Sequence, residues 1–198
     1  MARKNRDLHG NVPDRSAIAL ILIDVINDLE FEGGKQMLRF AKQMAPRLAR
    51  LKQRAYAKKI PVIYVNDNFG KWQSDFHAQV RHCLEDGVRG EPIVRMLEPT
   101  PDDYYILKPK HSGFFATPLS ILLDHLQAKT LILTGMAGNN CVLFTANDAY
   151  LREFELFVPA DCVVSASRAK NAAAKTSPAP VRSAVLTLNP GRSACSPP

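Results

Sequence analysis

Two hydrophobic patterns alternate along the chain. Residues 17–25, AIALILIDV, form an unbroken apolar run with an aspartate, Asp24, near its end. That is the pattern of a strand covered on both faces in a parallel sheet. After the polar loop NDLEFEGG, Met37, Leu38, Ala41, Met44, Ala45, Leu48, Leu51 and Ala55 recur at the spacing of one helix face. Pro46 interrupts this pattern and predicts either a kink or two abutting helices with the proline in the first turn of the second. IPVIYVND reads as a second buried strand. The long mixed segment at 68–99 predicts short helices around 77–84 and 91–96, and inserted segments of this kind often wall a pocket. YYILKP gives a short third strand ending at Lys108. Thr117 should cap the helix PLSILLDHLQ, with Pro118 in its first turn. TLILTG is the fourth strand. NNCVLFTANDAYLRE is a helix expected to lay Val142, Phe144, Ala146, Ala149 and Tyr150 on the sheet, and FELFVPADCVVS supplies a fifth strand.

Strands alternating with helices predict right-handed βαβ units and the α/β class: three layers, α/β/α, around a mainly parallel, doubly wound sheet. Ligands bind such sheets at the carboxyl ends of the strands. Asp24, Lys108 and the turn running from Gly135 to Cys141 all fall at those ends, so one rim collects an acid, an amine and a thiol.

The composition narrows the partners. The chain has 198 residues, 46% of them hydrophobic, enough for one sizeable core, and a formal net charge of +7. The basic residues are dispersed, and Lys52, Arg54, Lys58 and Lys59 read as a solvated helix face. No nucleic-acid motif accompanies them, so a small-molecule substrate is the expected partner and nucleic acid is not. No apolar run is long enough to cross a bilayer, and the basic, polar start has no apolar segment behind it, which favours a cytoplasmic location. The four cysteines, Cys83, Cys141, Cys162 and Cys195, lack CxxC spacing and read as free thiols. Glycines near Gly135 and Gly138 follow neither GxGxxG nor P-loop spacing, so no cofactor is expected.

A thiol attacks as the thiolate, which a helix N-terminus and a nearby cation favour. Cys141 is placed to have both, with Lys108 as the cation. Asp24 can take the thiol proton and return it to a leaving group, and the turn GMAGNNC can aim backbone N–H groups at a developing oxyanion. Singly, a lone cysteine is most often a small buried hydrophobe, a lysine a solvated charge and a strand-end aspartate a loop cap. Three complementary groups on one rim shift that balance towards a site.

LILIDVINDLEF, VIYVNDNFGKW, LKPKHSGFFATPLSILL and LILTGMAGNNCVLFTANDAY resemble, in order, blocks of the isochorismatase-like cysteine hydrolases, a group that includes nicotinamidases and N-carbamoyl amidases. The resemblance implies a catalytic triad of Asp24, Lys108 and Cys141, a non-proline cis peptide at Met136–Ala137, and an oxyanion hole from the N–H groups of Ala137 and Cys141. It further implies hydrolysis of a small amide, carbamoyl or related substrate through a cysteine thioester, and it makes a homo-oligomer a possibility. Trp72, Phe114 and Phe115 are the expected pocket walls. Nicotinamidases carry a metal site that begins with an aspartate and a histidine two residues on; here Asp67 is followed by Phe69 at the histidine position, so no metal is expected. A catalytically silent binding or interaction protein that keeps the fold stays open beside the hydrolase.

The hydrolase domain is drawn at 1–165. From 166 to 198 the composition changes to alanine, serine, proline and arginine with little periodicity, which reads as a disordered tail in which AVLTL could add a weak edge strand. An out-of-frame reading of a GC-rich gene end, or a truncated variant, would produce this change, and sequencing the gene end tests that.

Overall fold

The computed structural model describes residues 15–166. The tail and its AVLTL strand lie outside the described residues, apart from Ala166.

Six strands, β1 (Ile18–Ile23), β2 (Val62–Asp67), β3 (Tyr104–Lys108), β4 (Thr130–Met136), β5 (Glu155–Phe157) and β6 (Val163–Val164), form one sheet in the order β3-β2-β1-β4-β5, with β6 also on β4. Among the described residues every pairing is parallel. Helices α1 (Gly34–Ala57), α2 (Phe76–Glu85) and α3 (Glu91–Met96) cover one face, and α4 (Leu119–Leu126) and α5 (Leu143–Leu151) cover the other. This is the α/β sandwich that the alternating pattern predicts.

Each strand of the interior shows why. In β1 the side chains of Leu20 and Leu22 join the core under α1 to α3, while Ala19, Ile21 and Ile23 join the one under α4 and α5. All five are fully buried, and each larger side chain contributes roughly 1.5–3 kcal/mol. The chain winds from β1 outward to β2 and β3, then returns to place β4 on the other side of β1. The switch point therefore lies between β1 and β4, where a doubly wound sheet opens a crevice at its carboxyl edge. Gly135 makes this pairing possible: its φ is +109°, and a Cβ there would sit 2.0 Å from the Ile23 carbonyl oxygen.

Several expectations change in detail. Pro46 lies inside α1, which runs through it as one helix rather than two. Lys52 is not part of a solvated face: it sits on the buried stripe of α1 with Met37, Ala41, Met44, Ala45, Leu48 and Ala55. Helix α4 begins at Leu119 with Pro118 at its N-cap rather than in its first turn; Thr117 stands one residue earlier, its Oγ1 accepting from the Leu119 N–H at 3.2 Å. The fifth strand is two pieces, β5 along the start of β4 and β6 along its end, with Pro159 in the break. In α5, Val142, just ahead of it, Ala146 and Ala149 are buried as expected, but Phe144 and Tyr150 are exposed and Thr145 takes a core position instead. Among the described residues no helix is long and apolar enough to cross a membrane.

Candidate active site

The carboxyl ends of three neighbouring strands bring the site together. Lys108 ends β3, Asp67 ends β2 directly beside it in register, and Asp24 follows β1. Neighbouring strands lie about 4.8 Å apart, so a side chain starting on β3 must cross roughly 10 Å to reach β1. Lys108, fully buried, covers most of that distance, and Asp24 meets it from the β1 end.

Strand alternation puts Lys108 on the α4 and α5 side with Ile106. The same alternation would turn Asp24 towards the opposite core with Leu20 and Leu22. Asp24 instead adopts a left-handed conformation, φ 52°, which ends the strand and which aspartate tolerates better than most residues. Its N–H donates to the Val65 carbonyl, and its Oδ1 accepts from the Asp67 N–H at 2.7 Å.

Lys108 Nζ lies 3.0 Å from Asp24 Oδ2, 3.3 Å from Asp67 Oδ2 and 3.5 Å from Cys141 Sγ. An ammonium has three N–H donors, and these three acceptors account for all of them. Burial opposes the Lys108 charge, but Asp24, Cys141 and Asp67 outweigh it and raise the pKa. Burial pushes the Asp24 carboxyl up, against the attraction of Lys108. Burial first and the Asp24 charge second push the Cys141 thiol up to about 12, although Lys108 pulls the other way. Burial thus opposes the thiolate that a cation and a helix start alone would favour.

Cys141 sits in a π-helical turn, Gly138–Val142, that leads into α5. The Met136–Ala137 peptide before it is cis. The N–H groups of Asn140 and Val142 donate to the Ala137 carbonyl at 3.0 and 3.2 Å, and that of Asn139 donates to Ser165 Oγ at 3.1 Å. The turn is thus folded back on Ala137, with the N–H groups of Ala137 and Cys141 at its two ends. Thr145 Oγ1 donates to the Cys141 carbonyl at 2.7 Å and accepts from the Gly113 N–H at 2.9 Å, tying the Cys141 turn to the loop that follows Lys108. Ser112 Oγ, donating to Asp148 on α5, pins the same loop.

The aromatic residues expected to wall a pocket differ in burial. Phe114 is a core side chain, packed 6.0 Å from Phe154 and under Arg152. Trp72 is 84% exposed and Phe115 is also exposed. The residues at the nicotinamidase-type metal position do not fit a metal ion. Asp67 Oδ2 is turned to Lys108, its Oδ1 accepts from the Phe69 N–H at 2.7 Å, and among the described residues no group of three His, Cys, Asp or Glu side chains converges.

Asp67 is the member of the site that strand patterns do not single out for this role. Its signal is the register: as the last residue of β2 it stands opposite Lys108, and a carboxylate paired laterally with a buried lysine is a charge contact by construction.

A family model described as the isochorismatase domain matches residues 18–189, running past the boundary drawn at 165. The isochorismatase family protein YaaI of Bacillus subtilis (strain 168) is 41% identical over 158 residues, 80% of this chain and 86% of that protein. The ureidoacrylate amidohydrolase RutB of Methylorubrum extorquens is 40% identical over 81 residues, 41% of this chain but 33% of that longer protein. Among solved structures, the nicotinamidase PncA of Bacillus subtilis is 27% identical, with a TM-score of 0.62 over 81% of this chain and 93% of its own.

Proposed function

The chain belongs to the isochorismatase family, and from that premise we propose that it is a thiol-dependent hydrolase of a small amide, carbamoyl or related substrate. The observation that carries this reading is the Lys108 ammonium, held within 3.5 Å of Asp24, Asp67 and Cys141. Relatives named for amide hydrolysis, the ureidoacrylate amidohydrolase and the nicotinamidase, support the reaction class.

In the proposed course, Cys141 Sγ attacks the acyl carbon while its proton passes to Asp24. The raised thiol makes this transfer part of the attack rather than a step completed beforehand. The oxyanion is met by the N–H groups of Ala137 and Cys141. Asp24 returns the proton to the departing nitrogen, the C–N bond breaks, and a thioester remains on Cys141. Asp24 then takes a proton from water, whose oxygen attacks the thioester, and the proton returns to sulfur as the carboxylic or carbamic acid leaves. Lys108 stays charged throughout and orients both partners.

Ammonia release from a panel of small amides and ureido compounds tests the reading. The Cys141→Ala variant is expected to lose at least about a thousandfold of any activity found. Activity that survives in that variant places the chemistry elsewhere. The second reading, a silent binding protein, draws on the same raised and buried thiol; it gains if the wild-type chain hydrolyses nothing in the panel yet binds members of it.

A further inference from the structure

We propose that Asp67 is a positioning residue that holds the resting nucleophile in its thiol form by sharing the Lys108 ammonium. This rests on the reading of Cys141 as nucleophile and goes beyond the triad of Asp24, Lys108 and Cys141.

The geometry gives Asp67 two separate holds on the site. Its backbone N–H fixes Asp24 Oδ1 at 2.7 Å, and its carboxylate Oδ2 lies 3.3 Å from Lys108 Nζ. One ammonium therefore faces two carboxylates before it faces the sulfur at 3.5 Å. The groups that face Cys141 are Asp24 from the end of β1 and Lys108 from β3; those that face Lys108 are Asp24, Cys141 and, from β2, Asp67. In this set Asp67 is the carboxylate that does not take the thiol proton. Its negative charge cancels part of the Lys108 field that would otherwise stabilise a thiolate. Asp67 is also the most open member, with a side chain 32% exposed against 9% for Asp24 and none for Lys108.

The charge role and a merely structural one predict opposite signs. Asp67→Asn keeps the size and an acceptor oxygen but removes the charge. If Asp67 restrains ionisation, Cys141 in this variant titrates lower, and its iodoacetamide labelling at pH 8 rises about tenfold, the equivalent of one pKa unit. If Asp67 only props Lys108 in place, its loss draws the cation away from sulfur, and labelling of Cys141 stays level or falls. Cys83 and Cys162, which are also buried, are read in the same digest as internal controls. The expected result is a rise at Cys141 alone. Labelling that is unchanged, slower, or faster at all three cysteines together overturns the proposal, the last because it reports a loosened fold. Asp67→Ser, also neutral, must move Cys141 in the same sense. The reading of Cys141 as nucleophile fails separately, through activity surviving in Cys141→Ala, so the two outcomes are distinguishable.

Discussion

At the scale of single residues, the site depends on a cation that no shorter side chain could supply. Lys108 crosses from β3 to the switch point and meets three acceptors with three donors. Replacing it with methionine keeps most of the volume but leaves Asp24 and Asp67 facing each other without a counter-charge. Breaking a buried ion pair from one side costs about 3–5 kcal/mol, so Lys108→Met should shift the urea midpoint strongly downward. An unshifted midpoint would show that the carboxylates take up protons and tolerate the loss. Asp24, Lys108 and Cys141 are legible in the sequence as neighbours on one rim because the first two stand at the ends of apolar runs and Cys141 follows the glycine turn after another. Asp67 stands at a strand end as well, but its pairing with Lys108 depends on the β2–β3 register, which no local pattern records. Burial, the largest influence on the Cys141 thiol, is likewise a property of the assembled fold that no local pattern records.

At the scale of elements, β1 to β4 and α3 could be read from apolar runs and turn residues, since buried parallel strands tolerate no polar interruption. Lys52 could not. It replaces an apolar residue on the buried stripe of α1 because the α3–β3 connection offers it a complete set of partners. Lys52 Nζ donates to the Glu98 carbonyl at 2.6 Å and lies 3.4 Å from Asp103 Oδ2, over the rings of Tyr56 and Tyr64. Asp103 in turn accepts from Tyr56 OH and the Thr100 N–H. Glu98 lies 46 residues from Lys52 and Asp103 lies 47 from Tyr56, separations invisible to a helical period. The cluster anchors α1 to the chain entering β3, and so sets the level from which Lys108 reaches across the sheet. The ion-paired side chains are only 5% and 2% exposed. Lys52→Ala should therefore cost about 3–5 kcal/mol and lower Tm by roughly 6–20 °C. A calorimetric scan that shows less than about 2 °C of change would mean that Asp103 is satisfied by Tyr56 and Thr100 alone.

At the scale of the whole molecule, the described fold buries three thiols in different places: Cys83 on α2, Cys141 at the switch point and Cys162 before β6. Each is pushed from 9.0 up to about 12, chiefly by burial. Below pH 9 the folded and unfolded chains both keep these protons, and their contribution to stability is fully present. Between 9 and about 12 the unfolded chain releases them while the folded chain retains them, so that contribution is lost as the pH rises. The limiting slope is about 1.4 kcal/mol per pH unit for each thiol, or roughly 4 for the three together. Tyr56 and Tyr64, raised from 10.0 chiefly by burial, begin to add to this loss near pH 10 and Lys108, also raised, at still higher pH, while Lys52, whose pKa is lowered by burial, opposes it as one group against several. Urea midpoints measured under reducing conditions should therefore change little from pH 7 to 8 and fall steeply from 9 to 10. Cys83→Ala, which lies outside the proposed chemistry, should flatten that fall by about a quarter to a third, since it removes one of three equal thiol slopes beside the smaller onset from Tyr56 and Tyr64. Equal midpoints at pH 8 and pH 10 would mean that the thiols ionise in the folded chain as readily as in the unfolded one. The same result would remove the physical basis for a resting thiol at Cys141.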